Sequence, residues 1–142
     1  MPFWKPAHES VEWLSGVAFF DGFTHDDLQQ VVALGTEVLA EPGAILMDQG
    51  DTGVDCFVIV EGSAAVRVSG EFVATVSAGT MVGEMALVDH RPRNATVVAQ
   101  SPMKLLRFDA QQFRQLLDQM PKASERVMTV LRERLERSEA SS

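Results

Sequence analysis

Between residues 36 and 108 the chain alternates short apolar runs with turn signals, and that rhythm restricts the fold more than any other feature. The runs fall at 36–40, 44–47, 55–60, 64–68, 72–76, 95–99 and 104–108. The breaks are Pro42-Gly43, Gly50-Asp51, Glu61-Gly62, Ser69-Gly70, Ala78-Gly79 and Ser101-Pro102. Parallel neighbours need a crossover of about a dozen residues or more, and most of these gaps are far shorter. The expected architecture is therefore mainly β with flanking helices, an antiparallel jelly roll or barrel.

Helical patterns stand at both ends. A short helix is expected over 9–14. Thr24 then reads as an N-cap with Asp27 at N3, opening a helix that carries Leu28, Val31, Val32 and Leu34 and stops at Gly35. After the last strand, Asp109 caps a helix with Gln112 at N3 and an apolar stripe of Phe113, Leu116 and Leu117. Pro121 breaks that helix and can start another, which carries Val127, Val130, Leu131 and Leu135 among Arg132, Arg134 and Arg137. The serine-rich end, 138–142, is expected to fray. The 142 residues suit one domain: a helical segment 1–35, a β roll 36–108, and C-terminal helices 109–140.

Composition excludes several functions. With 46% hydrophobic residues the chain is expected to be soluble and globular. A formal net charge of −8 argues against general affinity for nucleic acid or an anionic membrane. No apolar stretch approaches the roughly 18 residues of a membrane helix, and Met1-Pro2-Phe3-Trp4-Lys5-Pro6 has no apolar h-region, so a secretory signal is not expected. The single cysteine, Cys56, lies inside the apolar run Cys56-Phe57-Val58-Ile59-Val60. It reads as a buried, inert thiol and suits a reducing cytoplasm.

The segment 83–97 carries the chemistry: Gly83-Glu84-Met85-Ala86-Leu87-Val88-Asp89-His90-Arg91-Pro92-Arg93-Asn94-Ala95-Thr96-Val97. A glycine turn delivers a carboxylate and a short apolar helix, and Arg93 follows. A phosphate ester on a ribose needs such parts: a guanidinium fork, free helix N-terminal N–H groups, and an acceptor for a sugar hydroxyl. The acidic balance does not forbid an anionic ligand. Exposed charges beyond a Debye length of about 8 Å are largely screened, so the local field of Arg91, Arg93 and a helix end can dominate.

This segment resembles the phosphate-binding cassette of the cyclic nucleotide-binding domain family, which reads G-E-x-A-L, a spacer, then P-R-x-A-T. The stretch Pro42-Gly43, Ile45, Gly50-Asp51, Phe57, Glu61-Gly62 is similar to the family's first half, so the resemblance spans roughly 20–135. It implies a jelly roll of the double-stranded β-helix kind, with N-terminal helices and two C-terminal helices. It further implies that Arg93 holds the cyclic phosphate and Glu84 accepts from the ribose 2′-hydroxyl. Gly83 would admit the ligand to the N–H groups of Glu84, Met85 and Ala86, while small Ala86 keeps the floor open. The backbone N–H of Ala95 would reach a phosphate oxygen. Asn94 fills a slot where Thr favours cGMP, so the lean is to cAMP. Val66 and Val73, with Ala74 beside them, match base-facing strand positions, although each also reads as ordinary core. Val82 replaces the aromatic residue usual before the Gly-Glu pair.

The resemblance implies a regulatory binding module, not an enzyme, in which phosphate capture moves the C-terminal helices. The expected partners are a cyclic nucleotide and a protein, or a second copy of the chain joined through the last helix. Nucleic acid, membrane, metal and cofactor are not expected. A ligand-free pseudo-receptor used for protein interaction or dimerisation is the alternative. A cupin-like metalloenzyme is the remote one, since His8, His25 and His90 form no cluster in sequence and no nucleophile motif is present.

Overall fold

The computed structural model describes Leu14, residues 20–83, Leu87 and residues 92–141. Of the helix expected over 9–14, only Leu14 lies among them, buried in the core.

Helix α1 spans His25–Leu34 and opens with the expected capping box. The Thr24 hydroxyl accepts from Asp27 N–H at 3.1 Å, and the Asp27 carboxylate accepts from Thr24 N–H at 2.9 Å. Eight strands follow: β1 Thr36–Ala40, β2 Ile45–Met47, β3 Asp55–Glu61, β4 Ser63–Val68, β5 Glu71–Ser77, β6 Met81–Val82, β7 Thr96–Ala99 and β8 Met103–Asp109. Helices α2, Ala110–Gln119, and α3, Pro121–Ser141, complete the chain. The second capping box is also present, with Asp109 accepting from Gln112 N–H at 2.8 Å. Helix α3 runs through Ser141, its last turns being rich in Glu, Arg and Ala, which favour helix.

The strands form two antiparallel four-stranded sheets, ordered β1-β8-β3-β6 and β2-β7-β4-β5. Sheet and helices divide the core in two. Cys56, Val58, Leu106 and Phe108 face the helices, meeting Leu28 and Val31 of α1, Phe113 and Leu116 of α2, and Ala123 and Val127 of α3. Phe57, Ile59 and Leu105 face the other way and meet Ala64, Val82, Val97 and Ala99 between the sheets. Strands β3 and β8 are thus covered on both faces, which is why they read as continuous apolar runs instead of clean alternations.

Differences from the expected strands are small and have causes. Ala44 belongs to the turn before β2, its N–H bonded to Glu41 O at 3.0 Å. Strand β6 was not anticipated, because two residues give no period to read. Strand β5 is a sheet edge with a register shift opposite Val66 and Arg67. Its Val73 is consequently 55% exposed and Ala74 is also exposed, so neither is ordinary core.

Candidate ligand-binding site

The site begins with the two-residue period of a strand. Asp55 opens β3 on the same face as Phe57 and Ile59, which pack between the sheets. On β8, Leu105 lies opposite Ile59 and Arg107 lies opposite Phe57, so Arg107 shares that inner face. The two charged groups therefore stand diagonally at the end of the roll where the apolar core stops. Arg107 Nε donates to Asp55 Oδ2 at 2.8 Å.

Strand β6 pairs Val82 with Phe57, which brings Gly83 beside the start of β3. Gly83 has φ +89°, in the left-handed region that suits glycine. A Cβ there would also stand 2.6 Å from Arg93 Nη1 and 3.2 Å from Asp55 O. Two independent constraints thus fix this glycine. Val82 is buried between the sheets, and the hinge position taken by an aromatic in the resemblance is filled here by an aliphatic side chain.

The arm carrying Arg93 is fastened through its backbone. Gly50 N–H donates to Arg93 O at 2.9 Å, Arg93 N–H donates to Asp51 O at 2.8 Å, and Thr52 bridges Pro92. The Thr96 hydroxyl donates to Asp48 Oδ1 at 2.8 Å and accepts from Gln49 N–H at 3.0 Å. Gln49 Oε1 in turn accepts from Ser69 N–H at 2.7 Å, tying this loop to the β4–β5 turn.

Held in that way, Arg93 enters the roll and is only 5% exposed. Its Nη1 donates to Gly83 O at 2.9 Å, and its Nη2 donates to Asp55 O and to Asp55 Oδ1, both at 2.7 Å. Asp55 is thus shared by two guanidinium groups. Among the described residues, two cations and one anion leave this cluster with a surplus of one positive charge, inside a partly dry site. What such an arrangement can do is hold an anion.

The structure brings Gly83 and Arg93 together. Ala95 is buried and Asn94 is exposed. Glu84, Met85 and Ala86 lie outside the described residues. Val66 packs against the core between the sheets, with Ala74 as its cross-strand partner, while Val73 sits in the irregular part of β5. Asp55 and Arg107 were not singled out from the sequence. Their shared face follows from the register of β3 against β8, which the local sequence does not record. Among the described residues no three His, Cys, Asp or Glu side chains group as a metal site, and no helix is long and apolar enough to cross a membrane.

The profile of the family described as the cyclic nucleotide-binding domain matches residues 37–120. The chain belongs to the cyclic nucleotide-binding domain family. Among curated relatives, it is 32% identical over 108 residues to the Pycsar effector protein XpPycTIR of Xanthomonas perforans, covering 75% of this chain and 36% of that one. It is 32% identical over 107 residues to the cAMP-dependent protein kinase type II regulatory subunit of Drosophila melanogaster, covering 75% of this chain and 28% of that one. The chain therefore spans about a third of the length of these relatives. Among solved structures, the Thermus thermophilus catabolite activator protein superposes with a TM-score of 0.78 at 22% identity, covering 87% of this chain and 61% of that one. That likeness carries the fold, the two-sheet roll with its flanking helices.

Proposed function

We propose that this cyclic nucleotide-binding domain takes cAMP in preference to cGMP, performs no chemistry of its own, and passes occupancy of its site to its C-terminal helices. The observation that carries the reading is the burial of Arg93 against the Gly83 turn, a cation set where the resemblance puts the cyclic phosphate. A phosphodiester keeps one negative charge at every physiological pH, which suits a fixed guanidinium. Glu84 takes the ribose 2′-hydroxyl, the N–H groups of Glu84, Met85, Ala86 and Ala95 surround the phosphate, and Val66, Val73 and Ala74 meet the base. The lean to cAMP rests on Asn94 standing where Thr would favour guanine. It also draws on the cAMP-dependent relative in Drosophila melanogaster. Within 1–142 as one such domain, residues 36–108 hold the ligand and 109–140 respond, passing the signal to a protein or to a second copy of the chain.

Calorimetric titration with cAMP and cGMP tests this. Arg93→Ala should lower the affinity by about 2–5 kcal/mol, thirty-fold to several thousand-fold. Glu84→Ala should cost less, about 1–3 kcal/mol, as one charge-assisted hydrogen bond. Unchanged affinity in Arg93→Ala would remove the proposed pose.

One observation favours a second reading, the pseudo-receptor. An unpaired buried guanidinium would argue for an obligatory ligand, but Arg93 already has the Asp55 carboxylate and two carbonyl oxygens as partners. Absence of binding by the wild-type protein would move the support to that reading.

A further inference from the structure

We propose that Asp55 sets the charge preference of this site, favouring a singly charged phosphodiester over a doubly charged phosphomonoester. The inference rests on the binding reading above and names a specificity determinant within it. Any phosphate reaching Arg93 must share its guanidinium with Asp55, whose Oδ1 is 2.7 Å from Nη2. Nor can that carboxylate turn aside, because Arg107 holds its other oxygen at 2.8 Å. With 15% of its side chain exposed, it is only partly screened by water. Asp109, its cross-strand neighbour, has its charge set against the N-terminus of α2.

The count then decides the outcome. Arg93 and Arg107 against Asp55 leave one positive charge in surplus, which one phosphodiester charge consumes. Among the described residues a second negative charge on the ligand meets no remaining cation, and it is repelled by a fixed carboxylate at short range. Coulomb energies at a few ångströms in partly buried sites are large enough to govern selection. Arg107 acts through Asp55 and is a positioning residue.

The test compares cAMP with 5′-AMP by calorimetry at about pH 8, where a phosphomonoester carries two charges. Asp55→Asn leaves two guanidinium groups facing a neutral amide of the same shape. It should raise the affinity for 5′-AMP relative to cAMP by on the order of tenfold or more. Arg107→Gln removes the surplus cation, so both ligands should weaken and 5′-AMP should weaken more, moving the ratio the opposite way. A merely structural role would weaken both ligands alike. Circular dichroism establishes which variants are folded, and if one is not, the other decides. A wild-type protein that binds cAMP, with a ratio unmoved in a folded variant, overturns the Asp55 proposal alone. A wild type that binds neither nucleotide overturns the binding reading, and this proposal with it.

Discussion

Asp55 serves two guanidinium groups at once, so the three members of the cluster are not interchangeable in stability. Asp55→Ala would strip the carboxylate from Arg93, whose side chain is 4% exposed, and leave a buried cation with carbonyl oxygens only. Breaking a buried pair in that sense costs about 3–5 kcal/mol. Arg93→Ala leaves Asp55 still paired with Arg107, which is 34% exposed, and should cost only about 1.5–3 kcal/mol, the value of a hydrogen bond to a charged group. Urea unfolding of the two variants measures the difference directly. Equal losses would show that the shared carboxylate does not hold the cluster together. Only one member of this cluster was legible in the sequence. Arg93 sits in a motif whose spacing can be matched, whereas Asp55 reads as the solvated start of a strand and Arg107 as an outward charge between Leu106 and Phe108. Their meeting depends on the register of β3 against β8, 52 residues apart in the chain, and local sequence carries no record of that register.

Elements were easier to read than contacts, because their signals are local. Thr24 and Asp109 each have a partner three residues on, and both capping boxes form. The β runs were bounded by turn residues that do make turns, and Gly43, Gly50, Gly62, Gly70 and Gly79 all take positive φ. What remained hidden was sidedness. Strand β5 has an apolar composition, yet it is the edge of its sheet, and Phe72 and Val73 stay more than half exposed. How the helices join is similarly a tertiary matter, and it yields a prediction. Lys122 near the start of α3 donates to the Asp27 carboxylate of α1 at 2.8 Å. That bond from Lys122, with the backbone bond from Thr24, holds the Asp27 pKa below its ordinary value. A depressed folded value means that the contribution is present above the unfolded carboxylate pKa of about 3.9, and is lost as pH falls through the folded one. The wild type should therefore exceed Lys122→Met in stability at neutral pH. That excess should fade as pH drops below about 4, followed by urea unfolding across the range. An excess that stays constant into strong acid would mean that Lys122 acts through packing instead.

At the scale of the whole molecule, the question is how a site inside the roll can reach helices on its outside. The route is short. Asp55, the partner of Arg93, is the cross-strand neighbour of Asp109, and Asp109 is the N-cap of α2. The next residue, Ala110, donates its N–H to Val54 O at 3.1 Å, so the first turn of α2 is bonded to the residue beside Asp55. Helix α2 then packs with α3 through the core that contains Phe113, Leu116, Ala123 and Val127. Under the proposed coupling, a phosphate that drew Arg93 toward itself would alter the pairing of Asp55, and a shift of Asp55 would bear on the strand-to-helix corner of α2. Coupling of this kind requires a differential affinity between two arrangements of the corner. At a cAMP concentration about a hundred times Kd, binding should stabilise the folded state by about 2.7 kcal/mol, on the order of 5–10 °C in Tm for a chain of this size. Uniform stabilisation would raise protection from hydrogen exchange everywhere that exchange requires global unfolding. Transmission through the corner should instead change protection within residues 110–119 by an amount that departs from the change in β1 and β4. The departure should vanish in Arg93→Ala, and it should shrink in Asp109→Ala, where the cap is lost while the arginine remains. Hydrogen exchange with and without cAMP in these three proteins separates the cases. A change confined to the strands around Gly83 and Arg93, with α2 following the global value, would mean that the site binds without moving the helix through this corner.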